Sequence, residues 1–212
     1  NEIIELVTRY PKITSFILKK INLSNKQLEG MEYTYESCYD FVGLAFTILD
    51  NNNPNILFIQ RAECEKDPWS GQMAFPGGRR ETIDLVDGAA ARRETAEEIG
   101  LELGTAQLIG RLNDMRGRHG GRSADLMISC FVFVTDQNER LALNHEVADV
   151  MHLPISQLLD PSLRTSVRYD AAGAIDFPGI FLSAKDERII WGLTYRFLTD
   201  FFSLFDHHLP SR

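Results

Sequence analysis

Four apolar, strand-like runs constrain the fold of this chain more than any other feature of its sequence. They are FVGLAFTIL at 41–49, NILFIQ at 55–60, AQLIGRL at 106–112 and LMISCFVFVT at 126–135. NNNPN at 51–55 is typical of a turn and joins the first two runs. Several consecutive strands, together with helical segments, predict an α+β fold or a sheet lying between helices.

Three helical patterns accompany these runs, and the shortest lies near Pro154 to Leu159. The stretch from Leu85 to Ile99 predicts a helix, with Asp84 or Asp87 as its N-cap and Gly100 as its end. The last stretch, 190–205, is apolar around most of a helical circumference, which predicts a helix buried against a sheet.

The first 37 residues differ in texture from the rest of the chain. They are polar, with short apolar clusters at helical spacing, among them Ile13, Phe16 and Ile21. We therefore predict two units, a helical extension over 1–37 that packs on the main domain, and the main domain itself over 38–212.

Charge and cysteine content limit the partners of the chain. With 22 basic and 30 acidic residues the net charge is −8, which argues against binding to nucleic acid or to a membrane surface. Cys38, Cys64 and Cys130 are far apart and form no CxxC pair, which favours free thiols and a cytoplasmic location. A small-molecule substrate is the partner we expect, and a homodimer stays open.

The segment FPGGRRETIDLVDGAAARRETAEEIGL, 75–101, carries the chemistry. It leads from a Gly-Gly loop into a helix on which Glu94, Glu97 and Glu98 share one face at i, i+3 and i+4. Like charges this close repel each other, but converging hard oxygen ligands are what Mg²⁺ or Mn²⁺ requires. A solvated helix with ordinary glutamates is the alternative interpretation of the cluster taken alone.

The order of these residues resembles the signature of the Nudix hydrolase family. Arg93, Glu94, Glu97, Glu98, Gly100 and Leu101 match its second half, with Thr95 at a position that is apolar in the family. The first half departs, because 14 residues separate Gly78 from Arg93, one more than in the family pattern, and Asp84 is nearest to the early glutamate.

The upstream segment ILFIQRAECEKDPWSGQMAFPGG is similar to the signature of the coenzyme A pyrophosphatase subgroup. Arg61 fits its beginning, and Gly71 followed by Phe75–Gly78 fits its end. Lys66 stands where the subgroup has arginine, and four residues instead of three lie between it and Gly71.

The resemblance implies a fold, a reaction and a set of site residues. The fold is an α/β/α sandwich with a mixed sheet, and the reaction is metal-dependent hydrolysis of a nucleoside diphosphate derivative, with Mg²⁺ or Mn²⁺ as cofactor. Glu94, Glu97 and Glu98 are the implied metal ligands, joined by the backbone carbonyl of Gly78. Glu94 is also a candidate base or orienting group, and Arg93 is expected to orient the glutamates.

A further set of residues stays open between a functional and a structural role. Glu146, just before a predicted strand, is the candidate for a distant catalytic carboxylate, with Asp125 and Glu139 as alternatives. His119 is the histidine of interest because it lies in a glycine-rich loop. The candidates for substrate contact are Arg61, Lys66, Arg79 and Trp69.

The choice of substrate is weighed among several classes. Coenzyme A or its acyl form leads, and ADP-ribose, nucleotide sugars and NADH are the alternatives. A catalytically silent nucleotide-binding regulator is a different class, which the intact Arg93, Glu94, Glu97 and Glu98 argue against. An RNA-processing enzyme would need a basic channel that the net charge makes unfavourable.

Overall fold

The computed structural model describes residues 40–49, 54–65, 67, 69–86, 88–103, 107–119, 122–135, 140–169 and 175–210. The predicted helical extension over 1–37 lies outside this part of the chain, so the proposed division into two units stays a prediction. No helix in the described ranges is both long and apolar enough to cross a membrane.

The described chain alternates strands with a few helices. The strands are β1 Asp40–Leu49, β2 Asn55–Arg61, β3 Met73–Ala74, β4 Gly77–Arg79, β5 Gln107–Arg111, β6 Met115–His119, β7 Arg122–Thr135, β8 Val147–Pro154, β9 Arg164–Tyr169, β10 Ile175–Ser183 and β11 Asp186–Trp191. The helices are α1 Ala89–Ile99, α2 Ile155–Leu158 and α3 Gly192–Ser203, with a 3₁₀ turn at Pro161–Leu163.

Eight strands form one mixed sheet. Its central path runs β3-β2-β1-β7-β5, while β4 pairs with β1, β6 with β7 and β8 with β2. β1 is parallel to β7 along its whole length, opposite residues 126–135, and the other pairs of this sheet are antiparallel. β9, β10 and β11 form a second, antiparallel sheet. The four predicted strands are confirmed as β1, β2, β5 and β7.

Alternation along the central strands divides the interior into two cores. On β2, Ile56 and Phe58 pack in the same cluster as Phe197 and Phe201 of α3, the α3 core. The alternate residues Leu57 and Ile59 pack in the same cluster as Ala91 and Ile99 of α1, the α1 core. A strand buried on both faces is a nearly continuous apolar run, which explains the predicted pattern. The sheet between helices confirms the predicted α/β/α sandwich and the α+β class.

α1 differs from the prediction at its start. It begins at Ala89, after Gly88 in a left-handed conformation, and the segment before it leaves Leu85 and Val86 exposed. Asp84 is not its N-cap, because its carboxylate accepts from the Glu81 amide and from Arg93 instead, and Asp87 lies outside the described residues. Gly100, with φ 70°, ends the helix as predicted.

Candidate active site

The Gly77–Gly78 loop and α1 meet at one end of the mixed sheet. β4 lies antiparallel to β1, with Gly78 opposite Gly43. A Cβ on Gly43 would lie 3.0 Å from the amide nitrogen of Ala91. The missing side chain at Gly43 and the small ones on α1 therefore let the helix lie directly on β1, which carries the glutamates to the loop.

Gly77 and Gly78 each contact one glutamate of α1. The amide of Gly77 donates to Glu98 Oε2 at 3.0 Å. A Cβ on Gly78 would collide with the carboxylate of Glu94, 2.6 Å from its Oε2. The absence of a side chain at Gly78 allows the close approach of Glu94, whereas glycine is required at 77 by a φ of 150°.

The three glutamates differ in exposure because they lie at different angles around α1. Glu98 is 2% exposed and belongs to the buried face, together with Ala91, Thr95 and Ile99. The side chain of Glu94 is 17% exposed, and that of Glu97 is 55% exposed. The cluster thus runs from the α1 core to solvent.

Arg93 ties this cluster together. Its Nη1 donates to Glu94 Oε1 and to Glu97 Oε2, both at 3.0 Å. Its Nη2 donates to Asp84 Oδ2 at 3.1 Å and to the carbonyl of Arg79 at 2.9 Å. One guanidinium therefore holds two of the glutamates, the loop before α1 and the end of β4.

Asp84 is a residue of this network that sequence reasoning assigned elsewhere. It is 4% exposed. Burial raises its pKa, but hydrogen bonds from Arg93 and the Glu81 amide outweigh burial, so the net pKa is lowered and the carboxylate stays charged. Its position nearest the early acidic residue of the Nudix pattern was the available signal.

Burial and neighbouring negative charges make the ionised forms of Glu94 and Glu98 unfavourable. Burial, with smaller contributions from the charges of Glu94 and Glu146, raises the pKa of Glu98 to about 7, although the hydrogen bond from Gly77 opposes this. Burial also raises the pKa of Glu94, against the opposing effect of Arg93. Carboxyls with raised pKa values in one small region favour binding of a proton or a cation.

Two charged residues outside α1 alter the pKa values of these glutamates. The charge of Glu146 raises the pKa of both Glu94 and Glu98, and the charge of Arg61 lowers that of Glu98. Arg61 ends β2 and Glu146 precedes β8, and the amide of Ala62 donates to the Glu146 carbonyl at 2.8 Å. The pairing of β2 with β8 therefore carries both residues to the cluster.

Arg61 has a partner that sequence reasoning missed. Its Nε and Nη2 donate to Asp67 Oδ2 at 2.9 and 2.6 Å, and Asp67 Oδ1 accepts from the amide of Trp69. No pattern in the sequence marks Asp67, because a loop contact between residues six apart has no characteristic spacing.

The other predicted residues lie farther from the glutamates or outside the described chain. Trp69 packs, partly buried, against the α3 core. Arg79 is exposed, and because it follows Gly78 it leaves β4 on the face away from Glu94. The remaining candidates are Lys66 and Glu139, which are outside the described residues, and Asp125 and His119, whose backbones lie in β7 and β6 but whose side chains are not described.

The oxygen atoms of the glutamate cluster suit a hard divalent cation, but the carboxylates do not surround a single point in this structure. Glu94, Glu97 and Glu98, with the Gly78 carbonyl, offer only oxygen ligands. Among the residues that the structure describes, no three carboxylates, imidazoles or thiols surround one point closely enough to hold a metal ion. Arg93 holds Glu94 and Glu97 by hydrogen bonds, and the Gly77 amide holds Glu98.

Comparison with known proteins agrees with this architecture. The NUDIX domain family matches residues 42–171. This match covers more than half of the chain and includes the Gly-Gly loop, α1 and Glu146. The chain belongs to the Nudix family.

The chain is also similar to individual proteins over part of its length. It is 36% identical over 126 residues to an uncharacterized protein of Schizosaccharomyces pombe, covering 58% of this chain and 38% of that protein. It is 29% identical to "Nudix hydrolase 22, chloroplastic" of Arabidopsis thaliana, covering 61% of this chain and 43% of that protein. The chain thus spans about two fifths of the length of both relatives.

A solved structure shares the fold. A MutT/nudix family protein from Enterococcus faecalis superimposes with a TM-score of 0.54 at 12% identity, covering 93% of this chain and 74% of that one. At this identity the likeness concerns the fold alone.

Proposed function

We propose that this protein is a divalent-metal-dependent pyrophosphohydrolase that cleaves the diphosphate of a nucleoside diphosphate derivative. The observation that carries the proposal is the packing of Glu94 and Glu98 against Gly77 and Gly78, with the pKa of both carboxyls raised. Membership of the Nudix family supports it.

In this proposal Glu94, Glu97, Glu98 and the Gly78 carbonyl hold Mg²⁺ or Mn²⁺. The ion neutralises diphosphate oxygens and lowers the pKa of a bound water when it is present. Arg93 is a positioning residue, because its guanidinium fixes the carboxylates of Glu94 and Glu97 relative to Asp84.

Proton transfer and substrate contact are assigned to residues at the edge of the cluster. Glu146 is our candidate for the base that takes the proton of the attacking water, because its side chain is half exposed and its charge raises the pKa values of Glu94 and Glu98. Glu94 is the alternative base. Arg61 is the candidate contact for a phosphate, and Lys66, Arg79 and Trp69 remain further candidates for substrate contact.

Coenzyme A or acyl-CoA is the substrate we favour. The support is the resemblance of the segment from Arg61 to Gly78 to the coenzyme A pyrophosphatase signature. ADP-ribose, a nucleotide sugar or NADH is the alternative, since Lys66 and the longer spacing to Gly71 depart from that signature.

The proposed setting is the cytoplasm, with the protein acting on a small nucleotide and not on nucleic acid. Cys64 and Cys130 are free thiols in the described chain, in keeping with a reducing compartment. A homodimer remains a prediction.

Product analysis tests the proposal. The protein is incubated with Mg²⁺, with Mn²⁺ or with a chelator, and with coenzyme A, ADP-ribose, NADH, a nucleotide sugar and a dinucleoside polyphosphate, and the products are identified by mass spectrometry. We expect metal-dependent release of 4′-phosphopantetheine and 3′,5′-ADP, faster than any other cleavage. Faster cleavage of another member would reassign the substrate, and no cleavage with either metal would favour a silent nucleotide-binding regulator.

A further inference from the structure

Arg188 joins the three-stranded sheet to the mixed sheet beside the candidate site. On its own strand, β11, its Nε and Nη2 donate to the carboxylate of Asp186, with a shortest distance of 2.6 Å. Its Nη1 donates to Gln60 Oε1 of β2 at 2.9 Å and to Asp149 Oδ2 of β8 at 2.8 Å. One nitrogen thus bridges two neighbouring strands, while Asp186 fixes the plane of the guanidinium.

The bridge lies next to an irregularity in the pairing of β2 with β8. Gln60 is directly opposite Asp149, but the next residue, Arg61, is opposite Val147, so Ala148 is left without a partner. This is a β-bulge, which bends a strand and redirects the side chains beyond it. The bulge at Ala148 is followed on β2 by Arg61 and, on the other strand, by the segment that leads to Glu146, just before β8.

Arg188 contacts β2 from the face opposite the site. Ile56 and Phe58 of β2 face the α3 core, and alternation places Gln60 on the same side and Arg61 on the other. Arg188 therefore reaches the site through the backbone of the two strands and not by direct contact.

We propose that Arg188 is a positioning residue that, by bridging Gln60 and Asp149, holds the adjacent bulge at Ala148 and so sets the placement of Arg61 and Glu146 beside Glu94 and Glu98. The effect on turnover rests on the proposed function. The effect on the backbone does not, and it can be measured without substrate.

Hydrogen exchange is the first test. The amide of Ala62, which donates to the Glu146 carbonyl, reports on the bulge, and that of Val132, in the centre of the sheet, reports on global stability. In Arg188→Met we expect exchange at Ala62 to speed up about tenfold or more, with Val132 changed by less than about twofold. Arg168→Met, at an exposed arginine of β9 in the same small sheet, is the matched control and is expected to leave both amides unchanged.

Kinetics are the second test, with the diphosphate that the wild type cleaves fastest. We expect Arg188→Met to lower kcat about tenfold to a hundredfold with KM within about threefold, because misplaced catalytic groups affect turnover more than binding. Arg188→Lys keeps the positive charge but lacks the forked guanidinium, and we expect it to recover part of the lost kcat.

Unchanged exchange at Ala62, or equal acceleration at Ala62 and Val132, would overturn the proposal. The same local acceleration in Arg168→Met would also overturn it. A wild type that cleaves none of the substrates would overturn the proposed function alone, and the exchange at Ala62 would still decide the role of Arg188.

Discussion

At the scale of single residues, the cluster is defined by what each glutamate touches. The spacing of Glu94, Glu97 and Glu98 predicted a shared face of a helix, and the structure places all three on α1. The spacing could not predict that Glu98 is buried and Glu97 exposed, because this depends on which side of α1 packs, and α1 packs through Ala91, Thr95 and Ile99. Thr95 is accommodated in that interface because its hydroxyl donates to the Ala91 carbonyl.

Glu98 gives the metal-free protein a defined pH dependence. Its pKa of about 7 in the folded chain lies above the ordinary glutamate value of 4.5, so between these values the folded state binds more protons than the unfolded state. The free energy of unfolding therefore falls as pH rises through this window, by at most about 1.4 kcal/mol per pH unit. Chemical denaturation of the chelated protein at pH 5 and pH 8 measures it.

Glu98→Gln should remove most of this slope and make the protein at least as stable as wild type at pH 8. Glu97→Gln, at the exposed position of the same helix, is the control that should keep the slope. A wild type with equal stability at both pH values would contradict the assignment of a buried, raised carboxyl.

Gly78→Ala tests the approach of Glu94 to the loop. Its Cβ would meet the mobile end of Glu94, so we expect a loss of stability below about 1 kcal/mol. The displaced carboxylate should lower kcat about a hundredfold, since misplacement of about 1 Å in an active site has that effect. Thermal denaturation and initial rates provide the two measurements.

Gly77→Ala is the contrasting variant, because its Cβ would collide with the carbonyl of Gly43 and lie 2.8 Å from the Cα of Leu44. Backbone cannot rotate away as a side chain can, so this variant should lose about 3 kcal/mol or more of stability. Full activity in Gly78→Ala would contradict the role given to that glycine.

At the scale of secondary-structure elements, the sequence predicted the strands that carry long apolar runs, but it did not predict which strands pair. The nearly continuous apolar runs predicted β1, β2 and β7, since each is long and buried on both faces. A shorter run predicted β5, in which Ile109 is buried but Leu108 is 40% exposed. β3 and β4 are two and three residues long, too short for any period to show. The pairing of β2 with β8 joins residues about ninety apart in sequence. This long-range register brings Glu146 to α1, together with hydrogen bonds from the amides of Ala142 and Asn144 to the carbonyls of Ile99 and Glu98.

Gly43→Ala tests whether the contact of α1 with β1 sets the site. The added Cβ would lie 3.0 Å from the Ala91 nitrogen and 3.3 Å from the Ala90 Cβ, so the helix must move by a few tenths of an ångström. We expect a loss of about 1–3 kcal/mol in stability, which is typical of overpacking. We expect kcat to fall as well, because α1 carries the glutamates. A destabilised variant with unchanged kcat would separate the position of α1 from the chemistry.

At the scale of the whole molecule, the net charge of −8 and the acidic cluster have one common consequence. In the proposed reaction an anionic diphosphate approaches an acidic chain, so positive charge at the reacting phosphates has to be supplied locally, in our proposal by bound cations and by Arg61. The proposed site lies at the end of the mixed sheet where β2, β4, β8 and α1 come together. Substrate choice could not be read from the sequence, because it depends on loop conformation and not on the cluster.

The most direct test of the central claim is hydrolysis in ¹⁸O-enriched water by the wild type and by the double variant Glu97→Gln/Glu98→Gln, each with Mg²⁺ and with a chelator. We predict that the wild type with Mg²⁺ places one ¹⁸O atom in one of the two phosphate products. We also predict that the folded double variant turns over slower by a few orders of magnitude, because ligands to the metal are lost. Wild-type turnover in the double variant, or in the presence of the chelator, would contradict the claim that these glutamates hold the catalytic metal.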